Sequence, residues 1–141
     1  MRKRTNKFNA KKVMHKGIKF DSQMEADFYD HLEALKESGE IKDFTLQPKF
    51  QLQPPFTAHG VKYVQIYYKA DFMVYYEDRP PEVIDVKGHE TADFKIKAKM
   101  FRYQYPHKLI LVTKAPKYMG VPWVTLEELK EVRKKRKEEK G

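Results

Sequence analysis

Two short apolar runs, joined by a polar turn of about five residues that contains two prolines, constrain the fold of this chain most strongly. Runs rich in aromatic and β-branched residues at this separation predict a β-hairpin. Asp71 begins the first run, and Asp85 and Lys87 lie in the second. Side chains alternate between the faces of a strand, so a register that pairs Tyr76 with Glu82 puts all three on one face. In that register Asp71 lies opposite Lys87.

Two acids and a lysine on one strand face have the composition of a divalent-metal site beside a cation. Carboxylate oxygens are ligands that Mg²⁺ and Mn²⁺ prefer. A charged group within an apolar strand costs several kcal/mol unless it is paired. The alternative is a structural ion pair between Asp71 and Lys87, but one lysine does not neutralise two acids. The pattern therefore predicts a metal at Asp71 and Asp85.

The positive charge of the chain is concentrated at its N-terminus. Eight of the 29 basic residues and none of the 20 acidic residues lie within residues 1–19, which leaves the remainder nearly neutral. A basic arm on a balanced body is typical of DNA-binding proteins, with a solubilising tail as the alternative. We expect Arg2, Lys3 and Arg4 to contact DNA.

Other features of the composition indicate a cytoplasmic protein that does not enter a membrane. The chain contains no cysteine, and no run approaches the roughly 18 apolar residues of a membrane span. The N-terminus also lacks the apolar core of a signal peptide.

The spacing of apolar, capping and turn residues predicts an α/β fold with a mixed sheet flanked by helices. A first helix starts at the Ser22–Glu25 capping box and stops at Gly39. Three strands, a second helix from Thr91, a fourth strand and a last helix follow, within residues 43–53, 61–76, 82–87, 91–105, 108–113 and 125–141. We expect the first strand to be interrupted near Pro48 and the second to have a break around Tyr68-Lys69. We divide the chain into an arm (1–19), one domain (20–124) and a charged C-terminal helix (125–141).

This order of elements carries an acid at the start of the second strand and the triplet Asp85-Val86-Lys87 on the third. It resembles the PD-(D/E)xK nuclease superfamily, and most of all its small phage-encoded members similar to Holliday-junction resolvases. The resemblance covers residues 20–115. The chain departs from the pattern at Ala70, where the family name has proline, and at Asp85, where many members have glutamate.

The resemblance implies a restriction-endonuclease-like fold with an α-β-β-β-α-β core and a Mg²⁺-dependent endonuclease, with Mn²⁺ able to substitute. Asp71 and Asp85 would bind the metal, together with the backbone carbonyl of Val86. Lys87 would orient the attacking water. A glutamate on the first helix often completes such sites, which implies a role for Glu25; the alternative is that Glu25 only caps the helix.

The implied substrate is branched DNA in phage recombination or processing, cut by a homodimer because resolution of a junction needs two cuts. Tyr118 and Trp123 could supply part of the dimer interface. Further candidate DNA contacts lie on the second helix, at Lys95, Lys97 and Lys99, whose alternative role is a solvated face. Five tyrosines could stack on bases, although packing in the sheet is our interpretation for most of them: Tyr63, Tyr67, Tyr68, Tyr75 and Tyr76. The competing functions are a non-catalytic nucleic-acid-binding module and a transposase-type or restriction-type nuclease subunit that needs a partner protein.

Overall fold

A computed structural model describes residues 12–140, so Arg2, Lys3 and Arg4 lie outside the described residues. Within residues 12–140, eleven strands and three α-helices follow one another, with one short 3-10 turn at Lys117–Met119. In chain order they are β1 (Val13–His15), β2 (Ile18–Phe20), α1 (Gln23–Ser38), β3 (Asp43–Leu46), β4 (Lys49–Gln53), β5 (Phe56–Ala58), β6 (Val61–Tyr63), β7 (Ile66–Lys69), β8 (Phe72–Tyr75), β9 (Glu82–Val86), α2 (Ala92–Gln104), β10 (Lys108–Lys114), β11 (Trp123–Thr125) and α3 (Leu126–Lys140).

The centre of the fold is a five-stranded mixed sheet in the order β11-β10-β9-β8-β3. Strands β3, β8 and β9 are antiparallel neighbours, and β10 runs parallel to β9 after the crossover through α2. A parallel pair requires such a crossover, usually a helix. The predicted α/β class, with a mixed sheet flanked by helices, is confirmed.

Helix α1 begins and ends where the sequence predicts. The Ser22 hydroxyl accepts the Glu25 N–H at 3.1 Å, and Gly39 ends the helix in the left-handed conformation at φ 84°. A residue with no Cβ adopts that conformation without strain, which explains the stop. The helix buries Phe28 and Leu32 in a cluster with residues of β8 and with Ile84 and Val86 of β9.

Helix α2 packs on the opposite side of the sheet. The Thr91 hydroxyl caps it by accepting the Phe94 N–H at 3.1 Å, and the helix ends just before Pro106. It buries Phe94, Ala98 and Phe101 in a second cluster with β4, β7 and β10. Because side chains alternate along β9, Val83 joins this second cluster whereas Ile84 joins the first.

The first predicted strand is interrupted at Pro48, as the sequence predicts, and forms two strands. Strand β3 stays in the central sheet, whereas β4 leaves it and pairs with β7 in a separate ribbon. Proline has no N–H for a ladder, and Gln47 before it has φ 50°, so the strand cannot run straight through. The run predicted at residues 61–76, with one break around Tyr68-Lys69, has two breaks, at residues 64–65 and 70–71, and forms β6, β7 and β8.

The predicted register of the β8–β9 hairpin is wrong by two residues. Val74, not Tyr76, pairs with Glu82, so the connection is longer than predicted. Pro80 and Pro81 supply no N–H groups near the turn, and the Tyr76 hydroxyl instead donates to the Glu82 carboxylate at 2.7 Å. A two-residue shift leaves each side chain on its predicted face but changes its partner.

The N-terminal arm predicted at residues 1–19 is described from residue 12 onward, and most of that described part is folded. Strands β1 and β2 form a hairpin that ends at the buried Phe20 and lies against α1. His15 bonds to Asp30 at 2.8 Å, and Lys16 to Glu33 at 2.9 Å. Residues 13–19 therefore belong to the folded body. None of the described helices is long and apolar enough to cross a membrane.

Candidate functional site

Asp71 and Asp85 lie side by side where β8 begins and β9 approaches its end. Phe72 pairs with Ile84, and this register continued by one residue puts Asp71 next to Asp85. The pKa of Asp71 is raised well above its usual range, first by burial and then by the charge of Asp85 and a hydrogen bond between the two carboxyl groups. Ionising both acids of such a close pair costs free energy because the two negative charges repel each other. The pair therefore favours one proton or one cation between the two carboxyl groups.

A backbone contact fixes the other oxygen of Asp71. The Val86 N–H donates to Asp71 Oδ2 at 2.8 Å. Val86 itself is buried as the last residue of β9. The structure thus shows Val86 as a donor to the acid pair, and metal binding by its carbonyl stays a prediction.

Asp85 is among the most buried residues of the described chain, with 2% of its surface exposed. The hydroxyl of Tyr68, on β7, donates to Asp85 Oδ2. Burial, the charge of Asp85 and this hydrogen bond all raise the pKa of Tyr68, so the phenol stays protonated as a donor. The ring of Tyr68 packs against Phe94 and Phe101 at 6.0 and 5.6 Å between centroids.

Tyr68 is the site residue that the sequence reasoning missed, because a tyrosine in an apolar run is first interpreted as packing. Both uses are correct here, since the ring is in the core and the hydroxyl is in the site. A buried tyrosine needs a partner for its hydroxyl. Its position three residues before Asp71 was the available signal.

Lys87 reaches Asp85 but is not paired with Asp71. Its Nζ lies 3.7 Å from Asp85 Oδ1 and 4.4 Å from the centroid of the Phe94 ring. Its N–H donates to the Val112 carbonyl at 2.9 Å, which holds its backbone at the end of the sheet. The alternative of an Asp71–Lys87 ion pair is not found among residues 12–140, because the true register separates these two residues.

Glu25 is buried at the start of α1 and acts as a helix cap in this structure. Its Oε2 accepts the Asp21 N–H at 3.3 Å. Burial first, then the charge of Asp21, raise the pKa of Glu25 to about 7, and the charge of Asp85 adds to this. Glu25 therefore senses the Asp71–Asp85 pair electrostatically.

The described residues, 12–140, contain no group of three or more His, Cys, Asp or Glu side chains that could hold a metal ion. Glu25 comes from α1, on one side of the sheet, whereas Asp85 points toward Tyr68 on the other side. A direct ligand role for Glu25 stays a prediction.

The acid pair nevertheless fits Mg²⁺ by its chemistry. Two adjacent carboxyl groups supply hard oxygen ligands, and the ammonium group of Lys87 offsets only one negative charge when both acids are ionised. Mg²⁺ commonly uses one or two carboxylates and fills its remaining positions with water and substrate phosphate.

The three lysines of α2 do not form one face. Lys95 and Lys99 are exposed and one turn apart, so they lie on the same flank of the helix. Lys97 is half-buried on the other flank. Lys95 and Lys99 can therefore contact one stretch of a DNA backbone together, whereas Lys97 cannot join them.

The aromatic residues predicted for a dimer interface differ in exposure. Tyr118 is half exposed, and Arg136 stacks on its ring at 3.9 Å. Trp123 is part of the core, with its ring edge-on to Phe28 at 4.9 Å. Trp123 therefore packs in its own chain.

No curated protein and no solved structure matches this chain. A family model described as "Protein of unknown function (DUF1064)" matches residues 5–120. This range includes the acid pair, Lys87, Tyr68 and Glu25. It leaves out Arg2–Arg4 and α3. Because the match spans most of the chain, the protein belongs to the DUF1064 family.

Proposed function

We propose that this protein is a Mg²⁺-dependent endonuclease that hydrolyses phosphodiester bonds in DNA. One observation carries the proposal: the half-buried carboxyl group of Asp71 meets the buried carboxyl group of Asp85 on neighbouring strands, with the ammonium group of Lys87 3.7 Å from Asp85. Keeping charged groups in such a place costs free energy unless they are paired. The arrangement is thus easier to explain as a functional site than as packing.

Asp71, Asp85 and the carbonyl of Val86 would hold the ion, and Mn²⁺ would substitute for Mg²⁺. A divalent ion held there would supply a lowered pKa for a bound water and would offset charge on the phosphate oxygens.

The remaining groups of the site position these ligands. The Val86 N–H and the Tyr68 hydroxyl each fix one carboxylate oxygen, so Asp71 and Asp85 keep one orientation. Lys87 is 30% exposed, so its ammonium group is able to reach a water molecule or a phosphate oxygen beside Asp85. We assign it the orientation of the attacking water.

We further propose branched DNA, such as a four-way junction, as the substrate, and a homodimer as the active species in the cytoplasm. A net charge of +9 favours a polyanionic partner. Each chain presents one Asp71–Asp85 pair, and a two-fold dimer would present two pairs to the two strands that must be cut.

The test is cleavage of a labelled four-way junction and a linear duplex of the same sequence, in Mg²⁺, Mn²⁺ or EDTA. We expect metal-dependent cuts, faster on the junction, that are lost in Asp71→Asn. Asp78→Asn is the matched control, because Asp78 is exposed in the turn between β8 and β9. Equal cleavage by wild type and Asp71→Asn would refute the assignment, and equal rates on both substrates would refute the preference for branched DNA.

A non-catalytic nucleic-acid-binding module is the second candidate. It is favoured by the absence of a third acidic ligand beside the pair among residues 12–140. That function predicts binding of DNA without cleavage in any divalent metal, and unchanged binding on addition of Mn²⁺.

A further inference from the structure

The segment between β4 and β7 forms a solvent-exposed β-hairpin. Strands β5 and β6 form it, and every residue of 54–67 is exposed except the half-buried Ala58. Its second strand leads directly into β7, which carries Tyr68 into contact with Asp85. We call residues 54–65 the hairpin arm. The arm is thus joined by a short stretch of strand to the acid pair.

Two stacked rings lie on one face of the hairpin arm. Phe56 pairs with Tyr63, and their rings are nearly parallel, with centroids 4.9 Å apart and an angle of 12°. About half of each residue remains exposed, at 43% and 47%. Ala58 and Val61 share this face, so it is an apolar strip open to solvent. Exposed contiguous apolar surface of this kind commonly marks a binding site.

The turn of the hairpin arm sets which residues of its two strands pair. His59 and Gly60 both have positive φ, at 49° and 78°, as a two-residue turn between twisted strands requires. Such a turn fixes the register and hence the pairing of Phe56 with Tyr63. The rings are therefore held ready for a partner before it binds.

The charge around the hairpin arm identifies the class of partner. No acidic residue occurs between Asp43 and Asp71, although the chain contains 20 of them. The segment carries three lysines instead, and Lys49 already lies 4.0 Å over the ring of Tyr67. Lys62 lies on the opposite face of the hairpin from the stacked rings. Flat aromatic surface with cations and no acids is complementary to bases joined by phosphates.

We propose that the hairpin arm binds unpaired bases of a nucleic acid, which stack on Phe56 and Tyr63 while lysines beside the arm, such as Lys49, contact phosphates. This inference rests on the proposed function in naming DNA as the nucleic acid, and it deepens that function by assigning the single-stranded part of the substrate to this arm. A second copy of the chain fits less well, because two arms without acids would repel each other.

The experiment measures binding of the full-length protein to a fluorescent single-stranded oligonucleotide and to a matched duplex, in EDTA so that nothing is cut. Phe56→Leu and Tyr63→Leu keep an apolar cross-strand pair but remove the flat ring. Each should weaken single-strand binding by about 5- to 100-fold, the range expected for one lost stacking contact, and change duplex binding much less.

Two further variants separate stacking from a general effect of substitution. Tyr63→Trp keeps a flat ring, so it should retain the affinity for single strands and its fluorescence should fall on binding. Val121→Ala is the control, because Val121 is 48% exposed outside both the hairpin arm and α2 and should not affect binding.

Equal single-strand affinity for wild type, Phe56→Leu and Tyr63→Leu would overturn the inference, whether or not the protein cuts DNA. So would a dimer in sedimentation that Tyr63→Leu converts to a monomer, because the strip would then be an interface between copies. If single-strand binding depends on Phe56 and Tyr63 but the protein never cuts DNA, the proposed role of the hairpin arm is supported and only the nuclease function is refuted.

Discussion

The acid pair and the hairpin arm depart from the usual distribution of residues in opposite ways. At the acid pair, charge is inside: Asp85 is 2% exposed, and its neighbour Asp71 is half-buried. In the hairpin arm, aromatic surface is outside, on Phe56 and Tyr63. Each arrangement costs stability, the first through desolvation and the second through apolar surface left in water.

The two regions also differ in how they are held. The acid pair depends on contacts between distant parts of the chain, such as Tyr68 with Asp85 and Val86 with Asp71. The hairpin arm is held by its own turn and by one cross-strand pair of rings. We infer that substitutions at the acid pair affect stability and chemistry together, whereas substitutions in the arm affect binding alone.

The largest expected effect is on chemistry at the acid pair. Asp71→Asn and Asp85→Asn should each lower cleavage by about 10²–10³-fold or more, because each removes a charged group aimed at the reacting centre. DNA binding should stay equal or become tighter, since less negative charge faces the phosphates. Rates in Mn²⁺ and affinities in EDTA are the measurements, with Asp78→Asn as control.

The effect of a bound metal ion on stability also tests the Asp71–Asp85 pair. Mn²⁺ should raise the melting temperature of wild type and not that of the two Asn variants, because a ligand of the folded state stabilises it. An equal shift in all proteins would locate the ion elsewhere.

The pH dependence of stability should reveal Glu25 in the metal-free protein. Its folded pKa of about 7 exceeds the unfolded value of about 4.3, so the folded state binds more protons between these values. The free energy of unfolding should therefore fall as the pH rises from 5 to 8. Glu25→Gln should lessen this fall by on the order of 2 kcal/mol.

Denaturant titrations at several pH values in EDTA would measure the effect of Glu25. The control is Glu37→Gln, an exposed position on the same helix. If the free energy of unfolding changes with pH in the same way in wild type and Glu25→Gln, the raised pKa of Glu25 is contradicted. Asp71, whose pKa is also raised, contributes a fall of the same sign in all three proteins.

A smaller loss of stability is expected from Tyr68→Phe. The change leaves the buried carboxylate of Asp85 without its donor and should lower the free energy of unfolding by about 1–3 kcal/mol. Cleavage should fall as well, because Asp85 loses its fixed orientation. The neighbouring Tyr67→Phe is the control, since Tyr67 is exposed. Equal stability of the two variants would show that the hydroxyl of Tyr68 does not support Asp85.

The smallest effect should come from the N-terminal residues that precede β1. Residues 1–11 contain five basic residues, and each phosphate that they neutralise contributes about −0.9 to the slope of log affinity against log salt. If two of them contact DNA, deletion should flatten the slope by about 2. Tyr63→Leu should leave this slope nearly unchanged, because it removes stacking and no charge. Identical slopes with and without residues 1–11 would exclude these residues from the interface.

Short-range signals in the sequence were sufficient for the helices and for the types of chemistry present. Ser22, Gly39 and Thr91 act on backbone groups within four residues of themselves, so their effect can be predicted without knowledge of the fold. The alternation of strand faces likewise put Asp71 and Asp85 on one side of the hairpin. The nuclease assignment itself stays a prediction.

Long-range contacts decided the geometry of the site. The longer β8–β9 connection places Asp71 beside Asp85 rather than opposite Lys87, and strand periodicity does not distinguish registers that differ by two residues. The Tyr68 hydroxyl reaches Asp85 only because β4 leaves the sheet at Pro48 and pairs with β7. Residue types and local signals follow from neighbours along the chain, whereas partners across strands depend on where distant segments minimise exposed apolar surface and unpaired backbone groups.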